Sequence, residues 1–73
     1  MGEQQRRPHV SREQFRELER GQRLQDRQGR VWTVRAAAFL QDGEHRVVLQ
    51  AGDLVLVEKE RFADSYALAD GPT

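Results

Sequence analysis

Apolar residues are frequent in the second half of the chain, where they alternate with polar residues over positions 31–57. Alternation with a period of two indicates β-strands, whose successive side chains point to opposite faces of a sheet. The alternation is imperfect, because Val31-Trp32, Val47-Val48 and Leu54–Val57 place apolar residues on both faces. A sheet with one face in water normally keeps that face polar. The pattern therefore predicts an antiparallel sheet with more apolar surface than one core requires.

Three turn motifs divide this region into strands. Asp26–Gly29 begins with aspartate and ends with glycine, as a type I turn does. Asp42-Gly43 fits a two-residue type I′ loop, and Gly52-Asp53 fits a type II′ loop with glycine in the first position. We expect strands over residues 23–25, 30–40, 45–50, 54–60 and 66–69, with a connector over residues 61–65.

A short helix is predicted before the strands, over Ser11–Arg20. Ser11 can cap the helix, and Gln14 three residues later completes a capping box. Gly21 is a residue type that commonly ends a helix. The apolar stripe is narrow and consists of Val10, Phe15 and Leu18. A helix this short is unstable alone in water, so we expect the stripe to dock on the sheet.

The hairpin loops determine which residues pair across the sheet. The predicted pairs are Leu40 with His45, Ala38 with Val47, Ala36 with Leu49, Leu49 with Leu56 and Val47 with Glu58. The predicted core face carries Trp32, Val34, Ala36, Ala38, Leu40, Val47, Leu49, Leu54 and Leu56. The apolar residues of the second face are Val31, Phe39, Val48, Val55 and Val57. These five form the candidate protein interface, unless the sheet curls and buries them in its own fold.

The segment Gly21–Ala69 resembles a Src-homology-3-like small barrel. It has about five short strands, two tight hairpins and one long strand, and Phe62–Leu68 stands where such barrels place a 3₁₀ turn before the last strand. The aromatic loop motif and tandem tryptophans of the peptide-binding members are missing, so the resemblance implies architecture and no ligand. The expected fold is mainly β (α+β): a short N-terminal helix followed by a 4–5 stranded antiparallel bent sheet or barrel.

One domain is expected, because 73 residues is near the lower limit for unaided folding. We expect a disordered arm over residues 1–9, a compact domain over 10–70 with a helix over 11–20 and a β-meander over 22–69, and a tail over 71–73. The chain has no cysteine, which is compatible with the cytoplasm. Its longest apolar run is five residues, against about 20 in a membrane helix, so no membrane partner is expected.

Charge is unevenly distributed although the net charge is zero. Residues 1–35 hold nine arginines and five acids, whereas residues 36–73 hold three bases and seven acids. The candidate phosphate-binding residues are Arg6, Arg7, Arg12, Arg16, Arg20 and Arg23. Three of them recur every four residues, so they form one stripe along the predicted helix. Interleaved glutamates offer the alternative that the stripe is an ordinary solvated helix face.

Catalytic and metal-binding patterns are not evident. Asp42, Glu44 and His45 cluster at a predicted turn. A solvated hairpin is a simpler interpretation of this cluster than a site for a divalent metal ion. No serine has a convincing base within reach. We therefore expect no enzyme, cofactor or small-molecule substrate. The predicted function is a non-catalytic protein-interaction module, accessory or inhibitory, with a protein partner or a second copy; the alternative is a nucleic-acid-binding accessory protein.

Overall fold

The computed structural model describes residues 9–69. The elements in chain order are α1 (Arg12–Arg16), β1 (Arg23–Asp26), β2 (Val31–Gln41), β3 (Glu44–Ala51), β4 (Leu54–Lys59), a 3₁₀ segment (Glu60–Ser65) and β5 (Tyr66–Leu68). The strands form one antiparallel sheet in the order β4-β3-β2-β1-β5. The predicted mainly-β fold with a short N-terminal helix is therefore confirmed. Most of the predicted arm and all of the predicted tail lie outside the described residues.

The described sheet is open. No pairing within residues 9–69 joins β4 to β5, the two edge strands. The shared features with a Src-homology-3-like barrel are thus five strands, two tight hairpins and a 3₁₀ segment before the last strand. Closure of the sheet is not among them. Across the same residues, no helix is long and apolar enough to cross a membrane.

The helix α1 begins as predicted but ends earlier. Ser11 Oγ accepts the Gln14 N–H at 3.0 Å, and the Gln14 side chain accepts the Ser11 N–H at 2.9 Å, so the capping box is confirmed. The helix ends at Arg16 instead of Arg20. There the Leu18 N–H donates to the Phe15 carbonyl, an i to i−3 bond that tightens the chain into 3₁₀-like geometry. The docked residues are buried as expected: Val10, Phe15 and Leu18.

The predicted turns are all present. Asp42 and Gly43 both have positive φ, 55° and 79°, which a type I′ loop requires. Gly52 has φ 61° whereas Asp53 has negative φ, which is the type II′ combination. The Gly29 N–H donates to the Asp26 carbonyl at 3.0 Å and closes the turn between β1 and β2. The residues of each turn thus determine where the strands reverse direction.

Two bulges in β2 change the predicted register. The pairs observed as predicted are Leu40 with His45, Leu49 with Leu56 and Val47 with Glu58. The predicted pair of Ala36 with Leu49 is wrong, whereas Ala38 lies in a bulge opposite Val47 and forms no regular pair with it. β2 holds an extra residue between Val34 and Ala36 and another between Ala36 and Phe39, and a bulge sets two residues against one. Ala36 consequently pairs with Val48, on the face away from the core.

The core lies between α1, the 3₁₀ segment and one face of the sheet. Its buried residues are Val10, Phe15, Leu18, Leu24, Trp32, Val34, Val47, Leu49, Ala63 and Tyr66. Ala38 and Leu56 pack against this cluster, as the predicted core face requires. Leu40 and Leu54 do not, being 64% and 51% exposed. Both stand next to hairpin loops, where the sheet extends past the core.

Candidate protein-binding surface

The outer face of the sheet, which we define as the face opposite the core, is built from three rows of paired residues. The rows across β2 and β3 to β4 are Ala36–Val48–Val57, Phe39–Arg46–Lys59 and Thr33–Gln50–Val55. Directly paired side chains of an antiparallel sheet contact each other, and diagonal neighbours are within reach of long side chains. The outer face therefore carries apolar residues next to cationic ones.

Four of the five predicted interface residues lie together on this face, and we call them the outer patch: Phe39, Val48, Val55 and Val57. Val48 pairs directly with Val57, Val55 is the next outer-face residue of β4, and Phe39 is diagonal to Val48. Val55 and Val57 are 60% and 49% exposed, Phe39 is 37% exposed and Val48 is half-buried. The fifth residue, Val31, pairs with Gln25 at the far end of β2 and lies apart from the patch.

Cationic side chains border the outer patch. Arg46 pairs with Lys59 on one side and with Phe39 on the other. The Nε atom of Arg46 is buried and has no hydrogen-bond partner among residues 9–69. Arg35, the bulge residue of β2, donates to the Gln50 side chain. Like charges directly opposite each other are unfavourable, so a carboxylate placed beside Arg46 and Lys59 would be stabilised.

The two edges of the sheet differ. β4 is an edge strand of six residues, and Leu54, Val55 and Val57 are each about half exposed or more. β5 at the other edge has three residues and is covered in part, because His9 forms a bridge with Ala67. The Val10 N–H also donates to the Tyr66 carbonyl at 2.8 Å. His9 was predicted to belong to the disordered arm, and its place at this edge corrects that prediction.

A cluster of ion pairs holds α1 and the 3₁₀ segment near the tip of the β2–β3 hairpin. Glu60 is buried, and its carboxylate accepts Arg16 Nε at 3.1 Å and Arg16 Nη2 at 2.7 Å. His45 Nδ1 lies 3.4 Å from the other oxygen of Glu60. The hydrogen bond from Arg16 holds the pKa of Glu60 below its ordinary value, although burial opposes this. These contacts therefore join α1 to the 3₁₀ segment and to β3.

A second ion pair lies beside the first. Arg61 donates to Glu44 through Nε and Nη2, both at 3.0 Å, a two-pronged contact that also lowers the pKa of Glu44. The two pairs, together with Arg12, line a polar cleft of about 340 Å³. Sequence reasoning missed both pairs, because their members are 44 and 17 residues apart and nothing local signals them.

The candidate phosphate-binding arginines do not form one stripe. Arg12 and Arg16 lie on α1, whereas Arg20 follows the end of the helix, so the predicted stripe of these three arginines along one helix is wrong. Arg16 is engaged with Glu60. Arg23 begins β1, after the turn that the Gln22 N–H closes on the Glu19 carbonyl. The remaining two candidates, Arg6 and Arg7, lie outside the described residues.

Trp32 and Tyr66 line a groove of about 310 Å³, and the polar groups of both side chains are engaged in hydrogen bonds within the domain. The indole N–H donates to Asp26 Oδ2 at 3.0 Å, and the Tyr66 hydroxyl donates to Glu58 Oε1 at 2.8 Å. The indole bond lowers the pKa of Asp26, whereas burial raises the pKa of Tyr66. Within residues 9–69 no group of three or more His, Cys, Asp or Glu side chains could hold a metal ion.

Comparison of the chain with models of known protein families, with curated proteins and with solved structures gives no match. The fold defines the chain as a small mainly-β domain with an N-terminal helix. The outer face and the edge strand β4 together carry several exposed apolar residues, so they are the candidate surfaces for binding: Val31, Phe39, Leu54, Val55 and Val57.

Proposed function

We propose that this chain is a non-catalytic protein-interaction module, an accessory or inhibitory protein whose binding surface is the outer patch. The observation that carries the proposal is the contiguity of exposed apolar side chains. Val55 and Val57 stand side by side on an edge strand, and Val48 and Phe39 extend the patch toward the middle of the sheet. Contiguous apolar surface on a small soluble domain is typical of a contact site for another protein.

The charges around the patch indicate the chemistry of the partner. Arg46 and Lys59 border the patch on the same face and pair directly with each other, so two positive charges lie side by side. A partner surface with apolar residues at its centre and a carboxylate at its rim would complement both the apolar patch and this cationic pair. We therefore expect an acidic protein partner. Because the chain has no cysteine, we also propose that it meets this partner in the cytoplasm.

The proposal can be tested by capture from a lysate of the native host with three immobilised proteins. These are the wild type, the double variant V55T/V57T and the single variant V31T. Threonine keeps the shape and strand preference of valine but adds a hydroxyl group, so the fold is retained while the patch becomes polar. Val31 is the matched control, because it is 44% exposed on the same face but lies outside the patch.

We expect the wild type and V31T to capture the same protein, and V55T/V57T to lose it. Capture should also weaken with salt, because the rim contacts are ionic. Equal capture by all three proteins would show that the outer patch is not the binding surface. Circular dichroism of each variant confirms that the sheet is intact.

Nucleic-acid binding is the alternative function, and the same experiment addresses it. The lysate is divided into a nuclease-treated and an untreated half. Capture that disappears after nuclease treatment would favour the alternative, in which arginines contact phosphates. The engagement of Arg16 with Glu60 and the position of Arg20 beyond the helix reduce the support for it.

A further inference from the structure

The edge of β4 has the features of a strand that accepts another strand. It is six residues long, and within residues 9–69 no strand pairs with its outer side. Leu54 and Val55 are more than half exposed although they lie on opposite faces. An exposed apolar edge strand presents unpaired N–H and C=O groups that readily extend the sheet.

The type II′ hairpin determines which backbone groups of β4 are available. Ala51 and Leu54 flank the two-residue loop, and residues that flank such a loop exchange both backbone hydrogen bonds. Hydrogen-bonded and non-hydrogen-bonded pairs then alternate along the ladder. The groups bonded to β3 are those of Leu54, Leu56 and Glu58. The groups directed at the open edge are those of Val55, Val57 and Lys59.

We propose that a second copy of this chain occupies the edge, with the two β4 strands antiparallel about a two-fold axis at Leu56. In this register Val55 of each copy exchanges backbone hydrogen bonds with the partner's Val57. The pairing uses only groups directed at the open edge. It also keeps the two outer faces on the same side, because paired residues point the same way. The result is one continuous sheet built from two sheets of five strands.

Charges at the two ends of β4 favour this register and a second copy as the occupant. Asp53, the exposed loop residue before β4, falls opposite the partner's Lys59, and the two-fold axis repeats the pair at the other end. A symmetric shift of the register in one direction sets Asp53 against the partner's Val57. A shift in the other direction sets Lys59 against the partner's Val55. Either shift loses both ion pairs and places charge opposite an apolar side chain.

This inference rests on the proposed function and adds a second copy to it. The three rows of the outer face hold Arg46 and Lys59 but no carboxylate, so the outer face of a second copy offers these cations no partner. Edge pairing instead joins two outer faces into one surface that carries the outer patch twice. Such a surface binds a repeated target more tightly through the high effective concentration of the second site.

Charge reversal tests the register. The variants D53K and K59E each set like charges opposite each other at both ends of the dimer. Each alone should raise the dimer Kd by about tenfold, because two favourable cross-strand pairs become unfavourable. An equimolar mixture of the two variants restores opposite charges at both ends, so it should recover the Kd of the wild type. The matched control is D64K, which makes the same change of charge at an exposed position outside β4.

Sedimentation equilibrium gives the Kd values, and amide hydrogen exchange by NMR locates the contact. The amides of Leu54, Leu56 and Glu58 should be protected at every concentration of protein. The amides of Val55, Val57 and Lys59 should become protected only as dimer forms. A wild type that stays monomeric to millimolar concentration, or a mixture of D53K and K59E no tighter than either variant alone, would overturn the inference.

The outcomes also separate this inference from the proposed function. A monomer that still captures a partner through the outer patch would overturn edge pairing alone. A dimer whose V55T/V57T variant captures the same proteins as the wild type would overturn the proposed role of the outer patch alone. Threonine leaves the backbone of β4 free to pair, so the two tests do not interfere.

Discussion

Alanine substitutions at Leu49 and Val57 test whether one face of the sheet is buried and the other is exposed. Leu49 is fully buried and pairs with Val34 and Leu56, whereas Val57 is 49% exposed on the outer face. Replacing Leu49 with alanine removes three carbons from the core, about 2.4 kcal/mol at about 0.8 kcal/mol per buried methylene. The residual cavity raises the cost to about 3–4 kcal/mol. Val57→Ala removes half-exposed carbons and should cost about 1 kcal/mol or less.

The measurement is urea unfolding followed by the fluorescence of Trp32. This is the only tryptophan of the chain, and at 7% exposed it reports on the core directly. A domain of 73 residues has a total stability of about 4–11 kcal/mol, so Leu49→Ala should remain measurable at low temperature. Its Tm should fall by about 15 °C or more. If Val57→Ala costs as much as Leu49→Ala at low protein concentration, the outer face is buried within the monomer and the interface reasoning fails.

Three further predictions concern the elements that position the two surfaces. The pKa of Glu60 is lowered in the folded state by Arg16, so its contribution to stability is present above the ordinary pKa of 4.5 and is lost as pH falls below it. Thermal melts at decreasing pH should show this loss, and Glu60→Gln should flatten the dependence; an unchanged slope would contradict it. Ser11→Ala should cost about 1 kcal/mol in urea unfolding through loss of the capping box, and a cost near zero would show that the cap contributes nothing. Gly52→Ala should cost about 1–2 kcal/mol through positive φ alone, since nothing lies within 4 Å of the added carbon, and a neutral result would refute the type II′ assignment.

Local chemistry in the sequence was sufficient to predict the elements that depend on neighbours along the chain. The capping residues at Ser11 and Gln14 and the loops at Asp42-Gly43 and Gly52-Asp53 act over two to four residues, and the structure confirms them. The pairing of β3 with β4 followed from the loop alone, because neither strand contains a bulge. The placement of Val48 and Val57 together on the outer face was therefore predictable.

Features that depend on the whole fold were not predictable in this way. The bulges of β2 lie among alanines and one arginine, with no glycine or proline to indicate them, so Ala36 was assigned to the wrong face. The helix α1 ends at Arg16, although the sequence has no glycine or proline before Gly21 to indicate that end. The Arg16–Glu60 pair joins residues 44 positions apart and could be found only from the structure.

The bridge between His9 and Ala67 limits the number of copies that can associate. A sheet with two open edges can add a molecule at each side, and such head-to-tail addition has no natural end and yields fibres. Here β5 is already occupied in part by the chain's own residues, which leaves β4 as the edge available to a neighbour within residues 9–69. Once two β4 strands have paired, neither molecule has an equivalent edge to offer. By covering part of β5, His9 and Val10 thus favour a dimer of fixed size over a polymer.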